Sequence, residues 1–272
     1  MNNSKFLIQN SKLKNIAVIL AGGIGARVGG NTPKQLLPLA DGRSVLEHAV
    51  NAFEQSPHID EVCIVMHPDY IAYAEQMLLA NAWQKVRYII PGGKERWESS
   101  VNAIRVYHEL KVEILRLKAE ESDSRYSMPD SHYPLTDNRN AINILLHDAA
   151  RPFVSQDIIA RVCEALQEHE AVTVAIPSTD TVYEMADGKV ARIPQRSTIM
   201  RAQTPQAFRL PLIAEAYTKA LGADICDKEA CAACHLPATD DCGIVHEHMP
   251  HIPIHIVLGE EQNKKITFKE DI

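Results

Sequence analysis

The chain has 272 residues and a mass of 30.3 kDa, enough for one large α/β domain with a substantial core and too long for a disulfide-stapled miniprotein. Hydrophobic residues at 46%, charged residues at 23% and a mean hydropathy of −0.17 exclude a disordered chain and a membrane-embedded one. With 28 basic and 35 acidic residues the net charge is −7, which argues against nucleic-acid partners, so an anionic ligand must be met by a local basic cluster.

The opening segment, MNNSKFLIQNSKLKN, is polar and lacks the apolar stretch of a secretory signal, so a cytoplasmic protein with no membrane partner is expected. A strand is predicted at 16–20, a helix at 45–54, a strand at 62–66, a helix at 69–79 and a strand at 86–90. A helix from about Glu98, a strand at 142–147, a helix from about Gln156 and a strand at 171–176 continue the alternation. Strands that are apolar throughout, each followed by an amphipathic helix, predict a doubly wound, mostly parallel sheet within a single domain, 1–272. Ligands of such sheets bind at the carboxyl ends of the strands.

Two stretches break the rhythm. Residues 118–141 turn to Ser, Asp, Pro, Asn and Glu and read as a flexible insertion without chemistry. Within 179–206, two alternating runs flank Ala186-Asp187-Gly188 and predict a β-hairpin projecting from the sheet as an arm, a shape suited to packing against a second subunit.

The first strand runs into a loop with Gly22, Gly23, Gly25, Gly29 and Gly30. Consecutive backbone amides there can form an anion nest. The dinucleotide fingerprint fails at Val28 and the Walker pattern fails at Asn31. What remains is an amide nest beside Arg27 and Lys34, suited to a nucleoside triphosphate. The same glycines also suit a plain strand-to-helix turn with solvated cations. An NAD-dependent oxidoreductase would need an acid about 20 residues on, for which Asp41 or Glu47 could be offered.

Seven motifs then occur in order: LAGGIGARV with PKQ, GGKERWESSV (92–101), HDAARP (147–152), STDTV (178–182), QTPQAF (203–208), TDD (239–241) and NKKIT (263–267). Through them the chain resembles the 2-C-methyl-D-erythritol 4-phosphate cytidylyltransferase family, shared with ribitol-5-phosphate cytidylyltransferase. The resemblance implies a Rossmann-like nucleotidyltransferase fold and transfer of CMP from CTP to methylerythritol phosphate, with CDP-ribitol synthesis as the alternative. It implies that Ala21, Gly22, Gly23 and Gly25 wrap the CTP triphosphate, and that Arg27 and Lys34 stabilise the transition state. It further assigns Gly93 and Ser99 to cytosine and ribose, and Asp148 to Mg²⁺. Thr181, Arg196 and Thr204 would hold the acceptor phosphate, with the arm supplied by the other subunit of a homodimer. Lys265 would position that phosphate, and Lys264 would point away. Two departures from the family pattern are Lys94, where an acid is frequent, and Ser100, in place of an apolar residue.

Four cysteines crowd together, Cys226, Cys231, Cys234 and Cys242, and spell neither a disulfide framework nor a standard zinc finger. Free thiols on a helix and its following loop are expected, with a zinc or nucleotide-binding module without turnover as the other reading. His246, His248, His251 and His255 are read as surface residues.

Overall fold

Ile16, Ala17, Val18 and Ile19 are wholly buried in the first strand, β1 (Lys14–Ala21), so neither of its faces meets water. The computed structural model describes residues 14–23, 33–121, 142–229 and 234–271. β1 lies in a seven-stranded sheet with β2 (Glu61–Met66), β3 (Val86–Pro91), β4 (Ile142–Asp148), β5 (Ala171–Pro177), β8 (Met200–Arg209) and β9 (Ile254–Leu258). The order is β3-β2-β1-β4-β8-β5-β9. The pairs β1 with β2, β1 with β4, β2 with β3 and β5 with β9 are parallel, and β8 runs antiparallel to β4 and β5.

Successive side chains of a strand point to opposite faces, and β1 feeds two cores in turn. Ala17 and Ile19 join Phe53 of α1 (Val45–Glu54), Met77 of α2 (Ile71–Asn81) and Ile158 of α4 (Gln156–Glu168). Ile16 and Val18 join Trp97 and Ile104 of α3 (Arg96–Glu121), Tyr217 of α5 (Leu210–Leu221) and Val245 of α6 (Asp241–His248). Helices on both faces make the sheet doubly wound, as the apolar strands predict. Emptying one position, for instance Phe53→Ala, removes a fully buried ring and costs about 3–5 kcal/mol.

Local chemistry sets the helix ends. α1 starts at a capping box in which the Ser44 hydroxyl accepts the Glu47 N–H and the Glu47 carboxylate accepts the Ser44 N–H. α5 stops at Gly222, whose φ of 65° is open to glycine and strained for other residues.

The hairpin of β6 (Glu184–Ala186) and β7 (Lys189–Arg192) forms a separate, exposed two-stranded sheet. Its turn has positive φ at both Asp187 and Gly188, the pattern that twists a two-residue hairpin correctly. The expected arm is too long at its far end: residues 200–206 belong to β8 in the central sheet. At the expected insertion the boundary also moves. α3 runs through Glu121, so 118–121 are helical, and 122–141 lie outside the described residues.

This winding places a site. α1 and α2 leave β1 and β2 on one face, α3 crosses on the other, and β4 returns on the opposite side of β1. The strand order therefore switches between β1 and β4, where the outgoing connections diverge and leave a crevice.

Candidate active site

At that switch point, where Leu20 is in register with Asp148, a cleft of about 560 Å³ opens. Backbone meets backbone along one wall. A Cβ on Gly22 would lie 2.9 Å from the Ser99 Oγ, one on Gly92 would lie 3.0 Å from the Gly22 Cα, and one on Gly93 would run into the Glu98 side chain. These glycines let the β1 and β3 loops close on each other. Ser99 Oγ accepts the Gly93 N–H at 3.1 Å, tying the second loop to the first turn of α3. The opposite lip is held by Gln35, whose Nε2 donates to the carbonyls of Ala21 (2.7 Å) and Gly23 (2.8 Å).

Charge is organised around Asp148 at the end of β4. Its Oδ1 lies 3.2 Å from Arg96 Nε and its Oδ2 lies 2.7 Å from Lys265 Nζ. Arg96 also reaches Asp241 Oδ2 at 2.7 Å, and Asp241 Oδ1 accepts the Tyr217 hydroxyl at 2.7 Å. An alternating chain, Lys265–Asp148–Arg96–Asp241, thus runs from the cleft to a wholly buried carboxylate. Burial pushes the Asp148 pKa up, but the Arg96 and Lys265 cations outweigh it and hold the carboxyl far below the usual range. Burial likewise opposes the Arg96 charge, and Asp241 with Asp148 overrides it.

A second network braces the same strand end. His147 Nε2 lies 2.9 Å from the Arg151 carbonyl, which only accepts, so Nε2 carries the proton. Nδ1 then accepts the Thr204 hydroxyl at 3.0 Å, and that oxygen accepts the Asp148 N–H at 3.1 Å. Burial lowers the His147 pKa to about 4, which keeps the ring neutral.

Of the residues expected from sequence, Ala21, Gly22, Gly23, Lys34, Gly93, Ser99, Asp148 and Lys265 line this one cleft. Lys34 Nζ donates to the Ile266 carbonyl at 2.8 Å, so the NKKIT segment carries one cation and anchors another. Lys264 faces Asp271 at 3.9 Å, on a different course from Lys265. Gly25 and Arg27 lie outside the described residues. Thr204 does not face the cleft: it is 5% exposed, and its hydroxyl is spent on His147 and Asp148. Thr181 and Arg196 sit exposed near the arm and do not line the cleft of their own chain; Arg196 Nη1 donates to the Thr179 carbonyl. Arg96, Gln35, His147 and Asp241 were not foreseen as site residues. Their only advance signal is membership of the PKQ, GGKERWESS, HDAARP and TDD motifs.

The rival readings draw on residues found elsewhere in the fold, and the cysteine reading is met only in part. Glu47 is consumed by the capping box and Asp41 pairs with His48, so neither is placed to hold a ribose. Cys226 Sγ lies 3.9 Å from His108 Nδ1, Cys234 Sγ contacts the Leu221 carbonyl and Cys242 is buried; Cys231 lies outside the described residues. Among the described residues no group of three or more His, Cys, Asp or Glu could hold a metal ion. For Mg²⁺ the donor set still fits. Mg²⁺ is commonly held by one or two carboxylates together with substrate phosphates and water, and Asp148 is an ionised carboxylate at the floor of a cation-bearing cleft.

A doubly wound sheet whose switch point carries a glycine-walled, cation-bearing cleft defines a nucleotide-binding α/β protein of the nucleotidyltransferase class. The sequence profile of the 2-C-methyl-D-erythritol 4-phosphate cytidylyltransferase (IspD) family matches residues 15–115 and 135–272, and the chain belongs to that family. It is 38% identical over 261 residues to the 2-C-methyl-D-erythritol 4-phosphate cytidylyltransferase of Thermobifida fusca, covering 94% of this chain and 89% of that one. It is 32% identical to the bifunctional ribulose 5-phosphate reductase/CDP-ribitol pyrophosphorylase of Haemophilus influenzae, covering 96% of this chain and 47% of the relative. The crystal structure of 4-diphosphocytidyl-2C-methyl-D-erythritol synthase from Anaerococcus prevotii superposes with a TM-score of 0.68 at 25% identity, covering 95% of this chain and 92% of that one.

Proposed function

We propose that the protein transfers CMP from CTP to 2-C-methyl-D-erythritol 4-phosphate, giving 4-diphosphocytidyl-2-C-methyl-D-erythritol and pyrophosphate. One observation carries the reading: Lys34, Lys265 and ionised Asp148 converge on a glycine-walled cleft in a chain of this family. An acceptor phosphate oxygen forms a bond to the α-phosphorus of CTP, the bond to the β-phosphate oxygen breaks, and pyrophosphate leaves. Both reactants are anions, so the barrier is repulsion and misalignment, and no side-chain nucleophile is required.

The chain's residues answer both difficulties. The amides near Ala21 to Gly23 receive the triphosphate, and Lys34 and Arg27 offset charge at the α-phosphorus. Lys265, partly exposed, exchanges Asp148 for the incoming acceptor phosphate. Arg96 keeps Asp148 in place during that exchange. Asp148 would hold Mg²⁺, which supplies charge neutralisation at the phosphates when bound. Thr181 and Arg196 lie off their own cleft, which supports a homodimer in which each arm completes the site of the other subunit. In that reading Thr204 serves by bracing Asp148. The cytoplasm is the proposed location; among the described residues no helix is long and apolar enough to cross a membrane.

A second acceptor, ribitol 5-phosphate, is favoured by the likeness to the Haemophilus relative, whose name includes CDP-ribitol pyrophosphorylase. The test is product detection by mass after incubation with CTP, Mg²⁺ and methylerythritol phosphate. The cytidine diphosphate product should form with the native chain and fall sharply in Lys34→Ala. Its absence from the native chain would overturn the proposal.

A further inference from the structure

α3 begins with two working faces. Arg96 and Ser99 line the nucleotide cleft, while Trp97, Glu98, Val101, Asn102 and Arg105 line a second cavity of about 270 Å³ together with Lys228. At 3.6 residues per turn, Arg96 and Arg105 fall on opposite sides of the helix. The two cavities share Gly93 and Lys94. CMP transfer as proposed above uses none of Trp97, Asn102, Arg105 or Lys228.

The polar groups of this cavity are lopsided. Lys94, Arg105 and Lys228 bring three positive charges, against Glu98 alone among the described lining residues. Glu98 Oε2 already accepts the N–H groups of Lys94 and Glu95, and Asn102 Oδ1 already accepts Arg105 Nη1 at 3.2 Å. Trp97 and Val101 line the cavity with the little surface they leave outside the core, at 4% and 1% exposure, and the Trp97 indole N–H is itself buried. The wall therefore offers cations beside narrow apolar surfaces, and its acceptors are largely spent.

We propose that this cavity binds a small organic phosphate, separately from the nucleotide cleft. At about 270 Å³ it is at the lower limit of small-molecule sites, roomy enough for a phosphate on a short carbon chain and too small for a nucleoside triphosphate. The phosphate meets Lys94 and Lys228, and the carbon chain lies against the lining surfaces of Trp97 and Val101. Lys94 couples the two cavities: an anion that draws its ammonium away from the cleft weakens CTP, and CTP weakens the anion by the same factor.

The test is calorimetric titration of glycerol 3-phosphate, and separately of inorganic phosphate, into the full chain with CTP saturating and no Mg²⁺. One site for glycerol 3-phosphate is expected, weakened roughly tenfold or more by Lys228→Glu and measurably by Trp97→Phe, which trims the apolar wall. Arg196→Ala, on the acceptor side, should leave this binding unchanged. Inorganic phosphate should bind at least about fivefold more weakly because it forgoes the apolar wall. In turnover assays the phosphate ester should raise the KM for CTP in the native chain more than in Lys228→Glu. No binding up to about 10 mM would overturn the site, as would binding indifferent to both cavity variants or lost in Arg196→Ala. Equal affinity for the two anions would overturn the organic ligand class. The titration needs no turnover, and the comparison of Lys228→Glu and Trp97→Phe can be repeated without CTP. Failure of this site and failure of the CMP-transfer reading are therefore distinguishable.

Discussion

Arg96 shows how much of a site depends on a single side chain joining distant parts of a sequence. It links Asp148 at the end of β4 to Asp241 at the start of α6, so Arg96→Ala would leave two largely buried carboxylates short of a cation. Truncating one member of such a network costs about 3–5 kcal/mol, to be read in urea unfolding. Restoring much of that loss with Asp241→Asn in the same chain would show coupling; simple additivity would argue against it. Lys34→Ala should behave differently, losing roughly 10²-fold in turnover with little change in unfolding. Lys34 was legible as a cation beside the glycine loop, whereas Asp148 and Lys265 entered through the family resemblance; the fold brings all three to one cleft. Arg96 was legible in neither way, because its importance arises only when the fold brings Asp241 beside it. The thiols allow a check on pH. Burial, with help from Asp224, lifts the Cys226 thiol to about 11, so its alkylation at pH 8 should be roughly tenfold slower than that of an ordinary thiol, the loss of thiolate being partly offset by its greater nucleophilicity. The rate should rise about tenfold per pH unit until that pKa, and fast labelling near neutrality would contradict the burial. Cys163 is lifted by burial to about 12; the unfolded chain ionises first, so its contribution to stability should decline as pH rises past 9.

The elements were readable in proportion to how far water exclusion alone explains them. β1, β2, β4 and β5 are continuous apolar runs, and their strand character follows from burial on both faces. β8 is different: Gln203, Thr204 and Gln206 are buried through hydrogen bonds to Asn263, His147 and Asp240, contacts with no local signature. It was consequently read as part of the arm. β9 lies at the sheet edge with Ile256 and Leu258 exposed, and its short run gives little periodicity. Two variants separate an element that builds the fold from one that builds the cleft. Ser44→Ala removes half of the α1 capping box and should cost about 1 kcal/mol with activity retained. Gly93→Ala forces a Cβ into Glu98 and pushes the α3 loop off the cleft wall, so the KM for CTP should rise roughly tenfold or more while the fold persists. An unchanged KM would show that this wall does not touch nucleotide.

At the scale of the whole molecule, the hairpin and its flank are one of the places where large apolar side chains stand exposed among the described residues. Met185, Val190 and Ile193 are 74%, 54% and 60% exposed, an arrangement better suited to an interface than to open water. If the proposed homodimer forms through this arm, Met185→Asp with Val190→Asp should give monomers on sedimentation and abolish turnover. Subunits inactivated separately by Arg196→Ala and Lys265→Ala should regain about a quarter of native activity when mixed and reassociated, because half the dimers then hold one intact site. No recovery would place Arg196 in its own subunit's site. The doubly wound plan was legible from alternation, and the location of the cleft followed from the strand-end rule; a site shared between chains leaves no trace in periodicity and rested on resemblance. The most direct measurement of the central claim is pyrophosphate release from CTP and Mg²⁺ with methylerythritol 4-phosphate and ribitol 5-phosphate compared side by side. Release driven by methylerythritol phosphate with the larger kcat/KM is predicted, and release with ribitol phosphate alone, or with neither, would contradict it.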